Sequence, residues 1–141
     1  MSMAEDKQKL HFTLVTPERE MVNDADVDQV NIPGSEGDLG ILPLHAPLFT
    51  TMRPGSFSYE KGDEIISLVV GHGYAEVTDD RVTVLAESAE YLSEVDVARA
   101  KEAKAKAEAE LANPDLAEAE LREAQNKLFR AMARIESKGS E

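Results

Sequence analysis

Glycine and proline all but stop near residue 91. Seven of the eight glycines and five of the six prolines lie before it, and only Gly139 and Pro114 lie beyond. Punctuation of that density breaks a backbone into short extended segments and turns, and its absence permits long helices. The later segment is rich in Ala, Glu, Lys and Arg, which are strong helix formers. The chain is therefore read as two parts. Residues 1–90 form a β-rich domain and residues 91–141 a helical one.

The 141 residues suffice for one ordinary domain with an appendage. With 15 Lys and Arg against 28 Asp and Glu, the formal charge is −13. So acidic a chain lacks the basic face that displaces counterions from nucleic acid, and it does not suit direct docking on anionic lipid. Cysteine is absent, which excludes disulfides, thiol catalysis and zinc–thiolate sites. No apolar run approaches the length of a membrane span. The polar opening segment, residues 1–7, lacks the apolar core of a signal peptide. A soluble, intracellular protein is expected.

Within the first part, apolar runs are short. Leu10, Phe12 and Leu14 alternate with His11, Thr13 and Val15, and Pro17 closes the run. Val27, Val30 and Ile32 follow with a shift of phase, as a bulge would produce. Leu39–Leu42 and the stretches 48–52, 56–59, 65–70, 74–78 and 81–86 also read as strands. Gly62-Asp63 and Thr78-Asp79-Asp80-Arg81 read as hairpin turns. Short strands with no helix between them predict an antiparallel sandwich or barrel.

The second part opens with Ser93-Glu94-Val95-Asp96, which has the form of a capping box with Ser93 as N-cap. A helix is expected from there to about Ala112. Asn113-Pro114 ends it and starts another, with Asn113 as N-cap and Pro114 as first residue. In that second helix Ala117, Leu121, Ala124, Leu128, Ala131 and Ile135 form one apolar stripe. Val97, Ala100, Ala107 and Leu111 form a weaker stripe on the first, interrupted by Lys104. The two should pair as an antiparallel hairpin, weakly held because alanines bury little area.

Catalytic constellations fail in turn. Gly71-His72-Gly73 is followed by Glu76 where a dinucleotide fingerprint needs a third glycine, and no phosphate-binding Gly-Lys-Ser/Thr exists. Gly34-Ser35-Glu36-Gly37-Asp38-Leu39-Gly40 reads as a tight surface turn, since its acidic residues repel phosphate. Asp24, Asp26 and Asp28 open like a calcium loop, but Gln29 stands where glycine is needed and Ser35 where glutamate closes the loop. An acidic, solvated strand edge is expected instead. His11, His45 and His72 are scattered, and no serine sits in a nucleophile elbow. No catalytic residue and no metal site is assigned, and the chain is not expected to be an enzyme in itself. Arg130 and Arg134 lie four apart on one helix face. They suit either a grip on a multivalent anion or ion pairing near a helix C-terminus.

Six stretches together resemble the epsilon subunit of the F-type ATP synthase. They begin with Phe12-Thr13-Leu14-Val15-Thr16-Pro17-Glu18-Arg19. The next is Pro33-Gly34-Ser35-Glu36-Gly37-Asp38-Leu39-Gly40-Ile41-Leu42-Pro43-Leu44-His45-Ala46-Pro47-Leu48, and then come Arg53-Pro54-Gly55 and Gly71-His72-Gly73-Tyr74-Ala75-Glu76-Val77. Val82-Thr83-Val84-Leu85-Ala86-Glu87 and Val95-Asp96-Val97-Ala98-Arg99-Ala100 complete the match. The resemblance runs in order from about residue 10 to the C-terminus.

It implies an N-terminal ten-stranded antiparallel β-sandwich followed by a C-terminal two-helix antiparallel hairpin. The function implied is that of a non-catalytic rotor subunit. Its sandwich would bind the gamma subunit, rest on the ring of c subunits and help carry proton-driven rotation to the catalytic alpha/beta head. The hairpin would fold against the sandwich or extend along gamma, where it inhibits ATP hydrolysis. No cofactor is required, but in some bacterial members ATP is held by the folded hairpin. The matching positions here are Glu90, Val95, Asp96, Arg99, Ala100, Arg130 and Arg134. Asp96 would accept from the adenine amino group, and the three arginines would meet the phosphates. Val95 stands where the motif usually has Ile or Leu. Losing that methylene costs roughly 0.8 kcal/mol, about fourfold in affinity.

Residues 34–47 match the loop that approaches the c ring, where Asp38 replaces the usual Glu. An acidic loop tip would suit basic groups on c. The place implied is the cytoplasmic face of a bacterial inner membrane, peripheral and without lipid insertion. Two other readings use the same residues. A stand-alone ATP-sensing module predicts tight ATP binding and no large assembly. A β-sandwich scaffold with a client-binding arm predicts apolar patches on the arm.

Overall fold

The computed structural model describes residues 8–139; the segment 1–7 and residues 140–141 lie outside it. Ten strands come first. They are β1 (Leu10–Val15), β2 (Glu20–Val27), β3 (Gln29–Gly34), β4 (Gly37–Ile41), β5 (Leu48–Met52), β6 (Gly55–Lys61), β7 (Glu64–Val70), β8 (Gly73–Thr78), β9 (Arg81–Ala86) and β10 (Ala89–Tyr91). A single 3₁₀ turn, Leu92–Glu94, leads to α1 (Val97–Leu111) and α2 (Glu118–Gly139).

The strands pair along the path β10-β7-β6-β3-β5-β8-β9-β1-β2, with β4 paired to β3 off that path. β3 and β5 share one ladder pair, Gly34 with Met52, and there the path folds into two layers. The core lies between them. Phe12 of β1 stacks on Phe57 of β6 at 5.6 Å and tilts against Tyr59 at 5.1 Å, so aromatic rings bridge the layers. Burial in this core, reinforced by neighbouring Tyr91 and Glu64, pushes the Tyr59 hydroxyl pKa upward. In β9 the alternation is complete: Val82, Val84 and Ala86 are buried while Arg81, Thr83 and Leu85 face outward.

Both expected two-residue turns form. Gly62 has φ 61°, and Asp79 and Asp80 have φ 49° and 60°. Left-handed turns of this kind match the twist of the strands they join. At Gly73 the constraint is space, since a Cβ there would lie 2.1 Å from the Leu85 carbonyl oxygen on β9.

The structure departs from the sequence reading in four places. First, one strand pair, β1 with β9, is parallel. A parallel pair cannot be closed by a hairpin, and here seven strands intervene in the chain. Second, the phase shift between Val27 and Val30 is a change of strand rather than a bulge. Asp28 makes the corner, with its carboxylate engaged by Lys9 and by the Gly62 N–H at 2.7 Å. Third, Asp96, not Ser93, caps α1, its Oδ1 accepting the Arg99 N–H at 3.2 Å. Ser93 is taken into the 3₁₀ turn, which the Val95 N–H closes on the Leu92 carbonyl at 3.1 Å. Fourth, α2 starts at Glu118, four residues beyond Pro114. The Asn113 side chain accepts the Asp115 N–H at 3.0 Å in a local turn and caps nothing.

The helices meet along alanines. Ala100 and Ala107 of α1 and Ala124 and Ala131 of α2 are all buried, while Ala117 and Leu121 are exposed. α1 packs chiefly on α2, and α2 lies on strands β6 and β7. Among the described residues, no helix is long and apolar enough to cross a membrane.

The layers and the surface should respond differently to truncation. Phe12→Ala should cost about 3–5 kcal/mol of unfolding free energy. Phe49→Ala, on a residue 62% exposed, should stay within about 0.5 kcal/mol. Urea unfolding measures both, and equal losses would place the core elsewhere.

Candidate functional site

The end of strand β7, Leu68–Val70, is buried on both faces. Leu68 and Val70 join the core between the layers, whereas Val69 packs outward beneath α2 with Val95, Ala133 and half-buried Leu92. A run with no alternation is what a strand covered on both sides requires. Few apolar groups take part, so this patch stabilises docking by only about a few kcal/mol.

Polar contacts surround the patch. Arg134 Nε donates to Glu90 Oε1 on β10. One turn earlier, Arg130 Nη1 donates to Glu87 Oε1 at 3.0 Å, just before β10. Lys138 Nζ donates to the Leu92 carbonyl at 3.1 Å. Ser56 of β6 and Ser137 of α2 share a hydroxyl hydrogen bond of 2.5 Å. All four side chains of the two ion pairs are about one-third exposed. At that exposure each pair is worth about 0.2–1 kcal/mol. The hairpin is thus held by a small apolar cluster and a set of weak clasps.

Two clefts flank the Glu90–Arg134 pair. The larger, about 500 Å³, includes Thr16, Arg19, Glu87, Ser88 and Arg130 in its wall. The smaller, about 240 Å³, includes Glu94, Asp96, Arg99 and Ala100. Glu90 and Arg134 belong to both. Of the residues named from sequence, Glu90, Asp96, Arg99, Ala100 and Arg134 therefore share the smaller cleft. Arg130 lies in the larger, and Val95 sits behind them in the apolar cluster. Asp96 already spends Oδ1 on the helix cap. The guanidinium of Arg99 has no ion pair among the described residues. Sequence reasoning did not single out Glu87, Val69, Ser56, Ser137 or Lys138. Their partners lie 43 to 81 residues away wherever a hydrogen bond is involved, and only the consecutive apolar residues Leu68–Val70 signal the contact.

Asp38 is not at a loop tip. It lies on β4 and pairs with Arg53 at 2.6 Å, while Ser35 and Glu36 form the β3–β4 turn. Arg53 also donates to the Gly34 carbonyl at 2.5 Å. On the outer side of β5, β8 and β9, exposed Phe49, Tyr74 and Leu85 stand together. The rings of Phe49 and Tyr74 are 5.5 Å apart, and Tyr74 lies opposite Leu85.

The beta-sandwich domain of the ATP synthase Delta/Epsilon chain matches residues 9–92, and that chain's long alpha-helix domain matches residues 93–139. An ATP synthase epsilon chain of Syntrophotalea carbinolica is 46% identical over 132 residues, covering 94% of this chain and 95% of its own. One from Dehalococcoides mccartyi is 46% identical over 127 residues, covering 90% of each. In a solved structure of the Euglena gracilis mitochondrial ATP synthase, OSCP/F1/c-ring, one chain superposes with a TM-score of 0.79 at 23% identity. The match covers 94% of this chain and 82% of that one. In the Tetrahymena thermophila central stalk/c-ring, the TM-score is 0.64 at 15% identity, with 94% and 98% covered. At those identities the likeness is one of fold.

Exposed clasps make docking sensitive to charge. Dyes on Lys61→Cys and Gln125→Cys label cleanly, because the native chain has no cysteine. By energy transfer, Glu90→Gln should lower the docked-to-undocked ratio by up to about fivefold. Salt near 1 M, where the Debye length is about 3 Å, should lower it in the parent protein too. A ratio indifferent to both would show that the apolar patch alone holds the hairpin.

Proposed function

The chain belongs to the delta/epsilon family of ATP synthase subunits, among its bacterial epsilon chains, and from that membership we propose a rotor subunit whose hairpin regulates hydrolysis. As an epsilon chain it is a non-catalytic part of an enzyme complex. In the proposed arrangement it sits in the central stalk at the cytoplasmic face of a bacterial inner membrane, linking gamma to the c ring. The exposed face of Phe49, Tyr74 and Leu85 would receive gamma, since adjacent outward aromatics on a sheet mark an interaction surface. The edge carrying Asp38 would meet basic groups of c.

The observation that carries the regulatory part is the thin attachment of α2 to β6 and β7. A docked state held by so little is separated from an undocked one by a few kcal/mol, so a ligand or partner preferring one state shifts the population. We propose ATP as a ligand of the docked state. Its phosphates would take Arg99, Arg130 and Arg134 in place of the glutamates, and its adenine would lie against Asp96. When undocked, the hairpin would extend along gamma toward the alpha/beta head and block hydrolysis. A free nucleotide sensor would leave the Phe49–Tyr74–Leu85 face without a use.

The test replaces the native chain with Tyr74→Glu or Arg134→Ala and purifies the synthase from membranes in mild detergent. Tyr74→Glu should be lost from the complex. Arg134→Ala should stay, but ATP hydrolysis should fall by up to about fivefold as the hairpin undocks. Calorimetry on the isolated chain should show ATP binding that Arg134→Ala removes. Recovery of the parent chain without gamma and c, or full retention of Tyr74→Glu, would overturn the docking scheme. Unchanged hydrolysis in Arg134→Ala would overturn the regulatory one, and absence of ATP binding by the parent would remove ATP as the ligand.

A further inference from the structure

The arginines that line the larger cleft come from different parts of the chain. Arg130 and Arg134 stand on α2, whereas Arg19 stands on the turn between β1 and β2 of the sandwich. That turn is closed on itself. The Thr16 N–H donates to the Arg19 carbonyl at 2.9 Å, the Arg19 N–H donates to Thr16 Oγ1 at 3.2 Å, and Thr16 is buried. The Arg19 side chain therefore leaves a fixed point of backbone. Its guanidinium pairs with Glu94 of the 3₁₀ turn at 4.0 Å, with both side chains more than half exposed. A pair so long and so exposed holds the guanidinium weakly. Arg19 lines the larger cleft and its partner Glu94 the smaller, so the guanidinium lies where the two adjoin.

We infer that Arg19 is the sandwich's anchor for a polyphosphate anion, and the residue that gives such a ligand its preference for the docked hairpin. The sign of the effect requires a group of this kind. Arg130 and Arg134 hold the hairpin down through Glu87 and Glu90. An anion that takes these arginines alone releases both glutamates and so opposes docking. A ligand shifts an equilibrium only by its difference in affinity for the two states. To favour the docked state, the anion must also touch a cation that the hairpin leaves behind when it departs. Of the basic residues lining the two clefts, Arg99, Arg130 and Arg134 belong to the hairpin and Arg19 to the sandwich. A polyphosphate lying along the clefts takes charge-assisted hydrogen bonds from both sides and replaces two carboxylate clasps by one shared anion. Its occupancy and hairpin docking are then coupled with positive sign, and reciprocally. Naming the anion as ATP rests on the proposed function; inorganic triphosphate carries the same chemistry without the base.

The experiment uses the isolated chain with dyes on Lys61→Cys and Gln125→Cys. A Val69→Ala background thins the apolar patch and brings both hairpin states into range without touching an arginine. ATP and inorganic triphosphate are titrated separately, with calorimetry to report binding and energy transfer to report docking. Each should raise the docked-to-undocked ratio of this starting chain about twofold to fivefold, the span of one exposed ion pair. With Arg19→Gln added, calorimetry should still show binding, up to about fivefold weaker, but the ratio should no longer rise. Arg19→Lys, which keeps the charge, should restore the rise. An equal rise with Arg19→Gln, no rise when the starting chain binds its anion, or loss of the rise in Arg19→Lys as well would overturn the anchor and leave ATP binding standing. A rise with triphosphate from a chain that does not bind ATP would keep the anchor and remove ATP as the ligand. No binding of either anion would overturn both.

Discussion

Everything specific to this molecule depends on how α2 lies on the outer face of β7. Among the described residues, Val69, Val95 and Ala133, with Leu92 beside them, supply the apolar cluster there, and the ion pairs of Arg130 with Glu87 and Arg134 with Glu90 supply the register. Remove that contact and the sandwich persists, since its core is closed by Phe12, Phe57 and the two-layer strand path. The alanine seam between α1 and α2 lies outside that contact. The junction is thus a weak joint between sandwich and hairpin, and weak joints are where populations shift.

The chemistry at the joint is balanced rather than vacant. Arg130 and Arg134 are occupied by carboxylates from the sandwich, so a polyphosphate must compete with them. Competition of that kind ties ligand occupancy to the conformation of the whole arm.

Much of the fold was legible. The loss of glycine and proline near residue 91 marks the passage from strands to helices, β9 alternates as written, and both left-handed turns fall at the residues expected to make them. The count of ten strands came from the family resemblance, because β2 is acidic and β10 has three residues. What stayed hidden was set by tertiary contact. Val95 turns into the apolar cluster, which moves the start of α1 to Asp96. The sequence presents the arginines as a pair on one face, with ion pairing as one of two uses. Their partners on and beside β10 could not be named, since no local pattern links residues more than forty apart. Asp38 shows the same limit: its residue type was informative, but its pairing with Arg53 was not.

In the proposed scheme, docking of α2 on the sandwich governs hydrolysis by the assembled synthase. Ser56 and Ser137 give direct control, because their hydroxyl oxygens lie 2.5 Å apart in the docked state and the chain has no other cysteine to interfere. In a synthase carrying Ser56→Cys and Ser137→Cys, oxidation should lock the hairpin down. ATP hydrolysis should rise on oxidation and fall again on reduction. If the disulfide forms and the rate is the same in both states, the hairpin does not control hydrolysis.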